Sequence, residues 1–419
     1  MPGMIPVEDA LRIVEVAAGA PRAVREVVPL AEALGRVLAA DVVLDFDAPP
    51  FDRATMDGYA VRASDVAPAA LPRPLRVVGH VTAGTSFARA IAAGECVAIM
   101  TGAPVPDGAD AVVRVEWTGD LDAPRGRESR VRVDRTVEAG ANVARRGEQV
   151  RAGEVVLRAG VRLSPAAIGV AAAAGRLRLD VARPPVVEIV ATGDELVPAD
   201  RRPGPFQIRD SNGHALLAQT LVAGGRGVYR GPVPDDREAL AAAIEAALAS
   251  DVVLVTGGVS VGEKDFVPAI LEGLGVERLF HRWDVKPGGP LWFGRRGDTL
   301  VFGLPGNPAA AFVGFELLVV PALCVRLGRP FAPRSTILAR PTAPLPAPIP
   351  RRQFVPVTLD LCASPVAATP IRWSGSGDPF GLAKAHGLAI VPEAGRPSDL
   401  PTGLARVVPT LGGGLGECS

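Results

Sequence analysis

Apolar residues Val7, Leu11, Val14 and Ala18 recur at helical spacing behind Pro6, which predicts a short amphipathic helix over 6–18. The stretch PLAEALGRVLAADVV (29–43) has a similar texture and predicts a second helix that ends in a strand-like tail. From about Leu75 the period shortens. LRVVGHV (75–81), ECVAIMT (95–101), AVVRVEW (111–117) and RVRVDRTV (130–137) are short β runs broken by Gly, Pro and Asp, and DAPRGRES (122–129) is all turn chemistry. They predict a small β-rich domain inserted into the chain. SPAAIGVAAAAG (164–175) returns to helix, with Ser164 at the N-cap, Pro165 at the first turn and Gly175 at the stop.

After Pro184-Pro185 the pattern alternates. VVEIVAT (186–192), GVYRGPV (227–233), DVVLVTG (251–257) and TLVFGLPG (299–306) read as strands. DSNGHALLAQTLVAGG (210–225), DREALAAAIEAALAS (236–250) with Asp235 as its cap, and the segment from about Pro308 read as helices. Such alternation predicts a mostly parallel sheet covered on both faces. The stretch 329–352 contains seven prolines and marks a boundary. Beyond it QFVPVTL, LAIVPE and LARVVPT predict a small C-terminal β domain. The expected fold class is therefore multidomain α/β plus β. It has a central three-layer α/β/α domain over 183–328 and an inserted β-rich domain over 46–146. A mixed helical and extended N-terminal domain comprises 1–45 with 147–182, and a barrel-like β domain spans 335–419.

Composition narrows the function. Lys plus Arg and Asp plus Glu number 45 each, so the formal charge is zero. That excludes the basic field a nucleic-acid or membrane-surface protein needs. Glu8, Asp9, Arg12 and Glu15 interrupt any secretion-signal core, and the apolar run 309–325 contains Glu316 and Pro321. The expectation is a soluble cytoplasmic protein with no membrane span. Its four cysteines, far apart and without C-x-x-C, are expected to be reduced thiols.

The stretch VTGGVSVGEKDF (255–266) follows a strand and precedes a helix, as a phosphate loop does. Yet Gly262 is followed by Glu263, and Asp265 follows Lys264, so no Walker motif exists and an ATP-dependent kinase is excluded. Ligands of open parallel sheets sit outside the carboxyl ends of the strands. Three such ends carry glycine loops here: ATGDEL (191–196), TGGVSVGEKD (256–265) with Ser260, and GLPGNP (303–308) with Gly306 and Asn307. Glycines let backbone N–H groups approach a ligand closely. Glu195, Asp235 and Asp265 gathered at this edge would repel one another and any anion unless a divalent cation neutralised them; magnesium shared with ligand phosphates is the ordinary solution. Lys286, in DVKPGGP, supplies a positive partner for phosphate. PPFDRATMDGYAVR (49–62) and IMTGAPVPDGADAVVRVE (99–116) are rigid loops presenting Asp57 and Thr101, and the Arg pair in NVARRGE is either an anion contact or a solvated charge run.

EALGRVLAADV, PPFDRATMDGYAVR, IMTGAPVPDGADAVV, ATGDEL, RDSN at 209–212, TGGVSVGEKDF, KPGGP and GLPGNP occur in one order along nearly the whole chain. In this the sequence resembles the molybdopterin molybdenumtransferases, whose eukaryotic relative is the E domain of gephyrin. The resemblance implies an L-shaped homodimer of four-subdomain protomers. Its reaction would insert molybdenum from molybdate into adenylylated molybdopterin and release AMP, with Mg²⁺ required. Asp57, Thr101, Glu195, Asp235 and Asp265 match residues this family uses at its active site. Glu195, Asp235 and Asp265 are assigned to the cation, and Asp57 and Thr101 to a contribution from the partner protomer. Gly257, Gly258, Ser260, Lys286, Gly306 and Asn307 would bind diphosphate or pterin, and Arg351 and Ser376 the molybdate. The molybdopterin adenylyltransferase and molybdoenzyme chaperones are implied partners.

The chain departs from the family's usual pattern at Arg53, Ala144, Gln149 and Gly289, where Asn, a basic residue, Asp and a second Lys are common. Arg53 or Arg145 is a candidate to restore the missing cation. The alternative to the enzyme is a non-catalytic paralogue that holds the cofactor or acts as a scaffold.

Overall fold

The structure is a computed structural model describing residues 4–20, 23–120, 129–259, 266–396 and 400–410. The chain divides into two compact units, one of Met1–Ala39, Gly160–Ser164 and Arg178–Ser419, the other of Ala40–Ala159 and Pro165–Leu177.

The first unit is built on a six-stranded sheet in the order Arg226–Val233, Val186–Thr192, Val252–Thr256, Thr299–Leu304, Trp292–Arg296, Glu277–His281. The first four strands are parallel and the last two antiparallel, so the expected parallel sheet gains an antiparallel edge. Alternate side chains of each strand enter different cores. Val187, Ile189, Leu254 and Phe302 pack with Leu216 and with Val313, Phe315 and Leu318, whereas Val190, Val253, Val255 and Val301 pack with Leu240, Ile244, Ile270 and Leu271. Burial on both faces is why the central strands 252–256 and 299–304 read as largely apolar runs.

Helix Val7–Ala18 buries Val7, Ala10, Val14 and Ala18 in the first of these cores. Pro308–Arg326 is long and apolar enough to cross a membrane, but 83% of its most apolar window is buried within the fold. The second expected helix does not form: 29–43 opens with the single turn Leu30–Glu32, although it does end in the expected short strand, Val42–Val43. Gly35, at φ +76°, breaks the helical path, and the chain then pairs with 161–163 through Gly35 N–H to Leu163 O and Leu38 N–H to Val161 O. In the C-terminal part, strands Arg352–Asp360, Ala367–Pro370, Ile337–Pro341, Ala405–Pro409 and Gly387–Val391 pair in turn. The last returns to the first, closing a barrel. Cys96 and Cys324 are free, but Cys362, in an exposed turn after a barrel strand, is disulfide-bonded, which corrects the expectation of four reduced thiols. Spacing along the chain carried no sign of that pairing.

The second unit holds the β-rich sheet in the order Ala111–Arg114, Gly58–Val61, Glu95–Ile99, Arg73–Val81, Arg130–Val133, Thr118–Asp120. It also holds the helix Pro165–Ala173, closed by Gly175 at φ +71°.

Candidate functional site

The carboxyl ends of the four parallel strands lie side by side, and their loops line one cavity of about 1440 Å³ in the first unit. Glycine makes that convergence possible. A Cβ on Gly257 (φ +99°) would fall 2.2 Å from the carbonyl oxygen of Thr192, and one on Gly306 would lie 3.7 Å from the Cα of Gly257. The loops after 186–192, 252–256 and 299–304 therefore touch through bare backbone. Asn212, the first residue of its helix, ties two of them together: Nδ2 donates to Thr256 Oγ1 (3.0 Å) and to the carbonyl of Gly306 (2.7 Å). Thr256 Oγ1 in turn donates to Pro305 O at 3.2 Å. Beside it the buried Asp210 accepts from the Tyr229 hydroxyl and from Gly213 N–H. Burial, then that carboxylate, pushes the Tyr229 phenol up, so the hydroxyl stays a donor.

Acidic side chains line the cavity beyond the strands 186–192 and 226–233. Asp235 takes a hydrogen bond from Thr192 Oγ1 at 2.7 Å, and its N–H donates to Asp194 Oδ1 at 3.1 Å. The helix Arg237–Ala247 is capped by Asp236, whose Oδ1 accepts from Ala239 N–H, and not by Asp235 as the pattern suggested. The displacement by one residue frees the Asp235 carboxylate for the cavity. Glu195 is exposed and lines the same space, its carboxylate curled over Gly193, where a Cβ would meet Oε2 at 2.6 Å. Asp265 and Ser260 lie outside the described residues. Among the described residues no three His, Cys, Asp or Glu side chains form a group able to hold a metal ion. Glu195 and Asp235 are oxygen donors of the kind magnesium takes.

Basic side chains line the cavity as well. The two-residue strand Val285–Lys286 pairs with Arg352–Gln353 of the barrel, with Lys286 opposite Gln353, and both Lys286 and Arg351 form part of the lining. A Cβ on Gly289 would lie 3.6 Å from Arg351 Nη1, so the guanidinium reaches across the glycine where the family commonly has a second lysine. Asn307 Nδ2 donates to Ser376 Oγ (3.1 Å) and Ala309 N–H to Ser376 O (3.0 Å), fixing the 373–381 segment to the GLPGNP loop. Gly257, Gly258, Lys286, Gly306, Asn307, Arg351 and Ser376 thus share one cavity with Glu195 and Asp235. Sequence reasoning assigned no role to Thr192, Asp210, Asn212, Thr256, Trp373 or Phe380, although the motifs ATGDEL and RDSN contained the first three.

Asp57 and Thr101 meet in the second unit. Asp57 Oδ1 accepts from Thr101 N–H and from Thr101 Oγ1, both at 2.7 Å, and these bonds, the backbone one first, hold its carboxyl below the ordinary range. The Arg pair is structural there: Arg145 Nη1 binds Asp52 (2.6 Å) and Arg146 Nε binds Asp47 (2.7 Å). Arg53 stands directly opposite the buried Ala144 in a two-residue ladder.

This geometry belongs with proteins that handle molybdopterin: residues 188–324 match the family described as "Probable molybdopterin binding domain". Residues 5–175 match "MoeA N-terminal region (domain I and II)" and 339–399 "MoeA C-terminal region (domain IV)". A molybdopterin molybdenumtransferase of Bacillus subtilis (strain 168) is 36% identical over 391 residues, covering 93% of this chain and 90% of that protein. One of Staphylococcus aureus (strain Mu50 / ATCC 700699) is 32% identical over 94% of this chain and 92% of its own. Among solved structures, a molybdopterin biosynthesis MoeA protein from Pyrococcus horikoshii superposes with a TM-score of 0.77 at 35% identity, covering 97% of this chain and 99% of that one. The chain belongs to the molybdopterin molybdenumtransferase (MoeA) family. Its activity is the insertion of molybdenum into molybdopterin.

Proposed function

We propose that the substrate is adenylylated molybdopterin, that molybdate supplies the metal, and that AMP leaves as molybdenum is bound at the pterin dithiolene. What supports this reading is that a single cavity is lined by the acids Glu195 and Asp235 and by the bases Lys286 and Arg351. A diphosphate bridge carries negative charge that the acids tolerate only through a cation, while an oxyanion such as molybdate suits an ammonium beside a guanidinium. Glu195 and Asp235, together with Asp265, would hold Mg²⁺. When bound, that ion neutralises charge building on the diphosphate oxygens.

The chain's own groups do the rest. Asn212 and the glycine contacts keep the loops at fixed separation, and Ser376 and Asn307 position the barrel segment beside them. Thr192 orients Asp235 by occupying one of its oxygens.

The working form we propose is a cytoplasmic homodimer in which Asp57 and Thr101 of one protomer complete the cleft of its partner, served by the adenylyltransferase upstream and molybdoenzyme chaperones downstream. Its four domains in this reading are 1–45 with 147–182, 46–146, 183–328 and 335–419, and Arg53, opposite Ala144, restores the cation missing there.

Incubation with adenylylated molybdopterin, Mg²⁺ and molybdate tests the reaction. AMP release that depends on molybdate and falls about 100-fold or more in Glu195→Gln is expected, the size of a lost charge-stabilising group. Tight cofactor binding with no turnover in the unaltered protein would leave the non-catalytic alternative instead.

A further inference from the structure

Phe380 is 81% exposed although it lines the cavity. Its position is nevertheless tightly fixed. Asp378 Oδ1 accepts from the N–H groups of Phe380 and Gly381 (3.0 Å each), and Oδ2 accepts from Ser374 N–H (2.9 Å). Gly381 admits no side chain, because a Cβ there would fall 2.6 Å from Trp373 Cβ; the indole-bearing residue packs directly on the turn that carries Phe380. The same segment is bonded to the GLPGNP loop through Ser376. Phe354, the other phenylalanine at this cavity, is only 3% exposed and belongs to the core, so its ring is spent on packing. A phenyl on a backbone turn fixed in place at a ligand cavity, with a half-buried tryptophan packed on that turn, leaves its apolar face in water until something flat covers it.

We propose that Phe380, backed by Trp373, is the stacking face for a planar heterocycle of the substrate. The proposal rests on the functional reading above, whose substrate has two such rings, the pterin and the adenine. Stacking on an aromatic face is tolerant of the heterocycle's substituents, so ring size and flatness set the preference while the charged side chains lining the cavity set the direction. Phe380 is in this sense a specificity-determining residue.

Calorimetric titration of the full chain with AMP and, under anaerobic conditions, with molybdopterin separates the two rings. Phe380→Ala and Phe380→Leu are each expected to weaken one of these ligands about tenfold, and Phe380→Trp to keep it within about twofold. The ligand affected identifies the ring that stacks. Because the side chain is exposed, thermal unfolding of all three variants is expected to match the parent. Equal binding of both ligands by the parent and Phe380→Ala overturns the proposal alone, as does parent-like binding by Phe380→Leu, which would make the contact merely apolar. A parent protein that binds neither ligand overturns the functional reading and this proposal with it.

Discussion

The Asp57 carboxylate is held by a single neighbour, Thr101, which gives it one N–H and one hydroxyl donor. Both favour the charged form, so the folded-state pKa lies below the unfolded one. The stabilisation is therefore complete above the ordinary aspartate range and is lost as pH falls through the lowered value. Thr101→Val removes only the hydroxyl, the smaller of the two contributions. Its expected effect is a partial rise of the Asp57 pKa toward the ordinary value, followed by the carboxyl carbon resonance across an acid titration; an unmoved titration would assign the whole depression to the backbone. Residue identity at this scale was legible for Asp57, Thr101, Glu195 and Asp235, since acids in glycine loops stand out. It was not legible which of two adjacent aspartates caps a helix. Asp235 and Asp236 differ only in which way the chain turns, and a sequence does not print that turn.

Among the elements, the loops at the strand ends depend on backbone contact more than on side chains. Gly257→Ala places a methyl 2.2 Å from the Thr192 carbonyl at a φ of +99°, so one loop must retreat. A loss of about 1–3 kcal/mol in denaturant unfolding is expected, with KM for the pterin substrate raised more than kcat is lowered, because the loop binds rather than reacts. A stability equal to the parent would mean the loops yield freely. The strands 186–192 and 252–256 were legible because both of their faces are buried and all but Glu188, Thr192 and Thr256 are apolar. The antiparallel strands Glu277–His281 and Trp292–Arg296 were missed, since ERLFH and WFGRR mix charges with aromatics in no simple period. The stretch 29–43 was misread for a related reason. Its helical spacing is real, but Gly35 and the partner segment at 161–163 favour pairing, and that partner lies more than a hundred residues away.

For the molecule as a whole, zero formal charge means that no long-range field draws in a polyanionic substrate. Capture falls to short-range charge at the cavity, where Lys286 and Arg351 both form part of the lining and the barrel strand from Arg352 pairs with Val285–Lys286. The sequence resemblance covered nearly the full length, and family descriptions match 5–175, 188–324 and 339–399. What it left open was how the barrel is fastened to the sheet. The answer is the pairing of Val285–Lys286 with Arg352–Gln353, a shared core that takes in Phe354, Leu388 and Val408, and the two bonds that Ser376 makes, through its hydroxyl to Asn307 and through its carbonyl to Ala309 N–H. Their consequence is thermodynamic linkage. A ligand seated between the two parts binds only while both bonds are closed, so at 100 times its Kd it deepens that closed state by about 2.7 kcal/mol. Hydrogen exchange should register this as slowing at Ala309 and across 374–381 together, in equal proportion. Slowing confined to one side would mean the fastening opens independently of the ligand.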